Sequence, residues 1–459
     1  MMMPASWPRD DPRTTRLLHI DPRRDGFVDR TIGDLRALLR DDDLLVVNDA
    51  ATLPASLRGC AASGAPLEVR LAGEREDGAW RAVLFGPGDW RTRTEERPAP
   101  PRLRVGDVIE FDSIRATVAG VDEASPRLVA LVFDASGAAF WRALYRAGRP
   151  VQYAHTAKPL ALWHVQTAYA ARPWAAEAPS AGFAFTWDLL LDLRRRGVRI
   201  ARVTEAAGLS STGDGALDAR LPLAEGYEVS ADAVRAVAAA KERGGRVVAV
   251  GTTVTRALEG AAANGQGRLV AGKGTTELRL GPGTRRRVVD GIVTGLHDAA
   301  TSHFALLESF ASRALLDRAH AFAEAHGYRG HEFGDAILIL AGSGTRREAT
   351  VGAASRGHAD TPCESAGAAS RGHADTPCRS EHRPILRSDL RSVKTTAGRA
   401  TERFDLCEGQ DILPQELVSH RTGECGIFRE APAYPPSTRV CPGSGATWAL
   451  RQLTDRRLV

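Results

Sequence analysis

The run VVAVGTTVTRALE, Val247–Glu259, decides the fold class. Its first four residues are all apolar, as in a strand covered on both faces of a sheet. Gly-Thr-Thr then ends the strand, and the following residues resume at helical spacing. Such a junction places free backbone N–H groups and the hydroxyls of Thr252 and Thr253 at the mouth of the sheet. A helix start there favours carboxylate, phosphate or ribose oxygens. The same residues also suit an ordinary turn with hydroxyl capping.

Working outward, helices and strands alternate. Thr186 caps a helix over Trp187–Arg196 with Leu189, Leu190 and Leu193 on one face, and Gly197 stops it. RIARVT, Arg199–Thr204, follows as a strand. Ser230 caps a helix running to about Arg243, before the Val247 strand. Val288–Thr294 is a third strand, Ser302–His326 a long amphipathic helix stopped by Gly327, and AILIL, Ala336–Leu340, a closing buried strand. Upstream, a helix around Gly33–Arg40 leads into the apolar strand Asp43–Asn48. This order predicts an α/β core with a largely parallel sheet.

Between Ser56 and Gly148 the pattern changes to short alternating strands (LEVRLA, WRAVLFG, DVIEFDS, RATVAGV, LVALVF) separated by turn residues. That predicts a small β-barrel or sandwich inserted in the chain. The expected organisation is an α/β core domain from residues 1–57 and 151–341, an inserted β-barrel domain over 58–150, and a low-complexity tail over 342–459. The tail repeats GAASRGHADTPC at Gly352–Cys363 and Gly367–Cys378, and no aromatic residue occurs between Ala341 and Arg403. So polar a tract cannot bury enough surface to offset its chain entropy, and disorder is expected there.

Of 459 residues, 43% are hydrophobic and 25% charged, which excludes a wholly disordered or fibrous chain. No apolar run approaches the roughly 18 residues that span a bilayer. Met1–Pro4 leads into charged residues without a signal-peptide core, so the cytoplasm is the expected location. The net charge of +5 rests on arginine: Lys158, Lys241, Lys273 and Lys394 are the only lysines among 61 basic residues. A modest excess of this kind is usually a solvated surface, although it also suits a polyanionic partner. No pair of cysteines has CxxC spacing, and P-loop, HExxH and GxSxG motifs are absent, so no metal is expected.

Other polar residues stand at strand ends. Asn48 and Asp49 follow the Leu44 strand and suit either orientation of a hydroxyl or capping of the next turn. Ala181-Gly182 would permit close backbone approach to a ligand. His331, Glu332 and Asp335 precede the final strand, and His297 is the one histidine in VDGIVTGLHDAATS.

These segments, in this order, resemble the S-adenosylmethionine:tRNA ribosyltransferase-isomerase family of queuosine synthesis. The likeness runs from about Pro8 to Leu340. It is carried by PRDDPRTTRLL, GDLRALLRDDDLLVVNDAATLPASL, VQTAYA, APSAGFAFT, GVRIARVT, VVAVGTTVTRALE, VVDGIVTGLHDAATS and FGDAILIL. The resemblance implies an α/β domain made from both ends of the chain with a β-barrel inserted. It implies a transferase that isomerises the ribosyl part of S-adenosylmethionine and moves it onto 7-aminomethyl-7-deazaguanine in tRNA, releasing adenine and methionine.

Such chemistry needs a base for the acidified proton beside the sulfonium, an acid or donor for departing adenine, and groups to hold ribose and phosphates. The implied substrate contacts are Asn48, Gly182, Thr252, Thr253 and Arg256. Asp49, Glu225, His297 and Asp335 are the implied catalytic residues. S-adenosylmethionine is the ribosyl donor, tRNA the partner, and a monomer is expected.

Several family positions differ. The family's Asn-Asp-Thr-Arg reads Asn48-Asp49-Ala50-Ala51, and a second arginine is Ser56. Ala-Gly-Leu-His-Phe-Thr reads Ala181–Thr186 with Ala184 in place of histidine. Val-Thr-Leu-His-Val-Gly has become VTEAAG, with Ala206 in place of another. Near Glu225, the usual histidine aligns with Leu223. Thr-Asn-Phe-His-Leu-Pro-Lys-Ser-Thr reads Thr294–Ser302 and keeps His297 alone of its Asn, His and Lys. Two alternatives therefore stand beside the family reaction. One is a divergent paralogue acting on another acceptor, and the other is a non-catalytic protein binding a nucleoside or RNA.

Overall fold

The computed structural model describes residues 2–341. The tail expected over 342–459, with its repeat, lies outside the described residues. A nine-stranded sheet forms the centre, in the order Gly272–Thr276, Glu225–Val229, Arg199–Glu205, Leu44–Asn48, Val247–Val250, Gly291–Gly295, Ala336–Ile339, Arg16–Asp21, Gly26–Thr31. The four strands from Arg199–Glu205 to Gly291–Gly295 are mutually parallel. The flanks are antiparallel except where Ala336–Ile339 runs parallel to Arg16–Asp21. The sheet is thus mixed rather than largely parallel.

Burial follows the apolar runs. Leu44, Leu45, Val46 and Val47 are at most 1% exposed, and Val247–Val250 at most 2%. Each such side chain contributes about 1.5–3 kcal/mol when fully buried. Thr186 Oγ1 accepts from Leu189 N, capping Trp187–Arg195, and Ser230 Oγ accepts from Ala233 N, capping Ala231–Glu242. Gly197 ends the first of these helices at φ +92°, a conformation that costs glycine little.

Two expected helices are shorter. Gly33–Arg40 reduces to the turns Ile32–Asp34 and Leu35–Leu38. The span 302–326 breaks into Ser302–Leu307 and Arg313–Ala325. Phe310 and Ala311 turn inward at the break, and Ser312 caps the second helix by accepting from Leu315 N.

Six strands between Ser56 and Phe133 close a barrel in the order Arg115–Val121, Leu128–Phe133, Trp80–Phe85, Pro66–Glu74, Ser56–Ala61, Val108–Phe111. Its core holds Leu57, Val69, Leu71, Leu84, Ile109, Val118 and Leu131, with Phe140 and Leu144 from the helix Gly137–Ala147. The chain enters and leaves side by side, since Ser56 and Arg149 exchange backbone hydrogen bonds.

At the amino ends of the parallel strands, Asp43 receives Arg246 Nη2 at 2.6 Å, and Arg246 also donates to Leu38 O and Ala341 O. That clamp fixes one edge of the sheet. The opposite, carboxyl edge carries the candidate site.

Candidate active site

At the carboxyl edge, Gly251 takes φ +97° and begins the helix Thr252–Asn264. An added Cβ there would meet Ala181, so the Gly251 turn lies against the Ser180–Gly182 segment. Thr252 and Thr253 are 6% and 9% exposed. The helix is buried from Thr252 to Ala262, which brings Arg256 into the interior.

Arg256 meets Glu225 there. Arg256 Nε and Nη2 lie 2.8 and 2.7 Å from Glu225 Oε2, and Gly208 N donates to Glu225 Oε1 at 2.9 Å. Next to them, Glu205 ends the Arg199–Glu205 strand and is fully buried. Neither of its carboxyl oxygens has a hydrogen-bond partner among the described residues. Burial first, and then the neighbouring Glu225 charge, push Glu205 well above the usual carboxylate range, with Arg256 opposing. Two close buried carboxyls disfavour double ionisation, which favours the protonated form of Glu205 while Glu225 pairs with Arg256.

Asn48 serves this corner from behind. Its Nδ2 donates to Glu205 O and its Oδ1 accepts from Glu205 N and Ala50 N, each at 3.0 Å. The side chain ties two strand ends together and is 1% exposed. Asp49 accepts from Thr204 Oγ1 at 2.6 Å.

Gly182 has a different reason for being glycine than ligand approach. A Cβ there would collide with the Tyr169 hydroxyl and with Thr167. The close neighbour is the protein itself.

A cavity of about 160 Å³ opens beside this turn. Its walls include Arg9, Ser180, Ala181, Ala184, Gly295 and the loop from His331 to Ala336. Phe183 and Phe333 stack across it with centroids 5.6 Å apart. Asp335 is the one expected site residue on its lining. Its carboxylate accepts from Arg9 Nη2 at 2.5 Å, Arg16 N at 3.0 Å and Arg329 N at 2.8 Å. Asp335 therefore fixes Arg9 on the cavity wall and ties the last loop to the first strand.

His297 follows the Gly291–Gly295 strand and is half-buried. Burial first, then His320, Arg256 and His331, push it down to about 4, so it is neutral at neutral pH. Its Nε2 pairs with Thr294 Oγ1 at 2.8 Å, and its ring stacks on His303. A neutral imidazole can accept a proton or a hydrogen bond.

The expected residues thus divide. Asn48, Glu225 and Arg256 gather around Glu205, Thr252 and Thr253 start the helix that carries Arg256, Asp49 adjoins Thr204, and Asp335 lines the cavity. Glu205, Arg9 and Glu177 were not singled out from the sequence. Burial raises Glu177 to about 7, against hydrogen bonds from the Tyr153 hydroxyl and Ser210. A signal for Glu205 existed: a carboxylate ends the apolar RIARVT strand in VTEAAG.

The family described as queuosine biosynthesis protein matches residues 2–339. The chain belongs to this family. A protein of Anaeromyxobacter dehalogenans named S-adenosylmethionine:tRNA ribosyltransferase-isomerase is 38% identical over 342 residues, covering 72% of this chain and 93% of that protein. A relative of the same name from Acidiphilium cryptum is 36% identical, covering 73% and 95%. Among solved structures, the S-adenosylmethionine tRNA ribosyltransferase of Thermotoga maritima is similar at 25% identity. It covers 74% of this chain and 96% of that one, with a TM-score of 0.41. In the queuosine biosynthesis family's run Val-Thr-Leu-His-Val-Gly, Glu205 occupies the leucine position. Ala184, at a histidine position, lines the cavity.

Among the described residues, no helix is long and apolar enough to cross a membrane.

Proposed function

We propose that this member of the queuosine biosynthesis family transfers and isomerises the ribosyl moiety of S-adenosylmethionine onto 7-aminomethyl-7-deazaguanine in tRNA, with loss of adenine and methionine. The observation that carries the reading is the Glu225–Arg256 ion pair at the carboxyl ends of the parallel strands, with the fully buried carboxyl of Glu205 beside it. Departing adenine needs a proton or a strong donor. A buried carboxylic acid whose protonated form is favoured, as that of Glu205 is by burial and the Glu225 charge, is such a donor.

The other roles follow from position. His297, neutral at neutral pH, accepts the proton removed beside the sulfonium. Arg9, held by Asp335, meets an anionic or ribose oxygen in the cavity. Thr252, Thr253 and Asp49 hold hydroxyls, while Asn48 and Gly182 position the strand ends and the Tyr169 contact. A groove of about 440 Å³ between the barrel and the sheet edge, lined by Arg75, Arg81, Arg220 and Arg279, receives tRNA phosphates. The expected cytoplasmic location and monomeric state belong to the same reading.

A second reading keeps the donor chemistry but changes the acceptor. Ala184 on the cavity lining, where the family run has histidine, favours it by placing a methyl group where a hydrogen-bonding ring would stand. Following adenine and methionine by chromatography, with and without tRNA bearing the aminomethyl deazaguanine, separates the two. Release that needs no tRNA favours the second reading.

A further inference from the structure

We propose that His155, His331 and Glu332 form a binding site for a divalent transition-metal ion of the zinc class, with an open coordination position toward the cavity. The three side chains come from two loops far apart in sequence. His155 Nε2 lies 2.6 Å from Glu332 Oε2, and the His155 and His331 rings stack at 4.2 Å. One ligand atom from each residue falls within 4.8 Å of the others.

Two imidazoles and one carboxylate are a donor set suited to zinc and its neighbours, and three protein ligands leave the fourth position of a tetrahedral site open. In such a site, neighbouring donor atoms sit about 3.4 Å apart around bonds of about 2.1 Å. His155 Nε2 and Glu332 Oε2, hydrogen-bonded at 2.6 Å, would separate by roughly 0.8 Å to admit the ion, and the exposed His331 ring would turn toward them. Both His331 and Glu332 line the cavity, so the open position faces the space where a substrate oxygen or nitrogen would lie.

The surroundings support the ligands. Tyr153 stacks on His155 with rings 15° apart, and its hydroxyl bonds Glu177. That stacking restricts rotation of the His155 ring. His331 itself takes φ +66°, uncommon for a residue other than glycine, and Gly334 N closes its turn by donating to His331 O at 2.9 Å. The loop holds a strained backbone in order to present this ring.

Metal content tests the site without reference to turnover. The full chain is stripped with a chelator, dialysed against zinc and assayed by elemental analysis, and cobalt(II) is then substituted to record its visible spectrum. The tail carries His358, Cys363, His373 and Cys378, so the quantity read is the difference between the native chain and variants of the triad. The variants are H155A, E332Q and H331N, the last because asparagine tolerates the left-handed backbone and keeps the loop folded. The native chain is expected to hold one zinc more than each variant. The cobalt difference spectrum should show nitrogen and oxygen ligation without a thiolate band. Equal metal content in the native chain and in folded H331N, or a difference spectrum of thiolate character, overturns the site.

Discussion

Glu205 and Glu225 face each other at the carboxyl edge of the sheet, yet only Glu225 has a cation: Arg256 bonds Glu225 while both Glu205 oxygens stand without a partner among the described residues. Burial and the Glu225 charge favour the protonated form of Glu205. Folded Glu205 therefore binds its proton more tightly than unfolded Glu205. Its contribution is fully present below the ordinary carboxylate range and is lost as pH rises through the elevated folded value.

Glu205→Leu should stabilise the chain at pH 7 by about 1–3 kcal/mol, the cost of an unsatisfied buried polar group. The gain should shrink below about pH 4.5, where both states of the native residue are protonated. Thermal melts of the two proteins across that range check the sign. Adenine release should fall at least tenfold in the same variant, because the proton donor is gone. An equally active Glu205→Leu protein would remove Glu205 from the chemistry.

Arg256→Met leaves Glu225 buried without its partner. Breaking one side of a buried pair costs about 3–5 kcal/mol. Denaturant titration should find a loss of that size. A loss under about 1 kcal/mol would mean that solvent or Glu205 takes over the role of Arg256.

Gly182→Ala should destabilise by pressing a methyl against the Tyr169 hydroxyl. Adding Tyr169→Phe removes that oxygen and should recover part of the loss, with a coupling of about 0.5–3 kcal/mol in the double-mutant cycle. Additive effects would show that Thr167 or a backbone shift dominates.

Arg75→Ala and Arg279→Ala should weaken tRNA binding alike for all sequences. Each should lower the salt slope by about one for every phosphate that is no longer neutralised. Filter binding at several salt concentrations reads both. An unchanged slope would move the tRNA surface elsewhere.

Much of the frame was legible in the sequence because its determinants are local. The runs LLVV and VVAV are apolar enough to demand a two-sided sheet, and Thr186 and Ser230 announce their helices. The break at Phe310–Ser312 was hidden, since Ser and Ala occur inside helices as readily as between them. Antiparallel returns at the sheet edges were hidden too, because strand direction leaves little trace in composition.

The site was less legible because its contacts are distant in sequence. Glu205 meets Glu225 only through the antiparallel pairing of Thr204 with Glu228 and Glu205 with Tyr227. His155 meets Glu332 across two loops. Gly182 resembled a ligand-approach glycine, but the hydroxyl that needs its space belongs to Tyr169.

The most direct measurement is product release by the full chain. S-adenosylmethionine is supplied with tRNA carrying 7-aminomethyl-7-deazaguanine, with tRNA lacking it, and alone, and adenine, methionine and the mass of the RNA are followed together. The account predicts equal amounts of adenine and methionine only with the aminomethyl tRNA, with a matching mass gain on that RNA. A folded chain that binds S-adenosylmethionine and releases no adenine with that tRNA would contradict it.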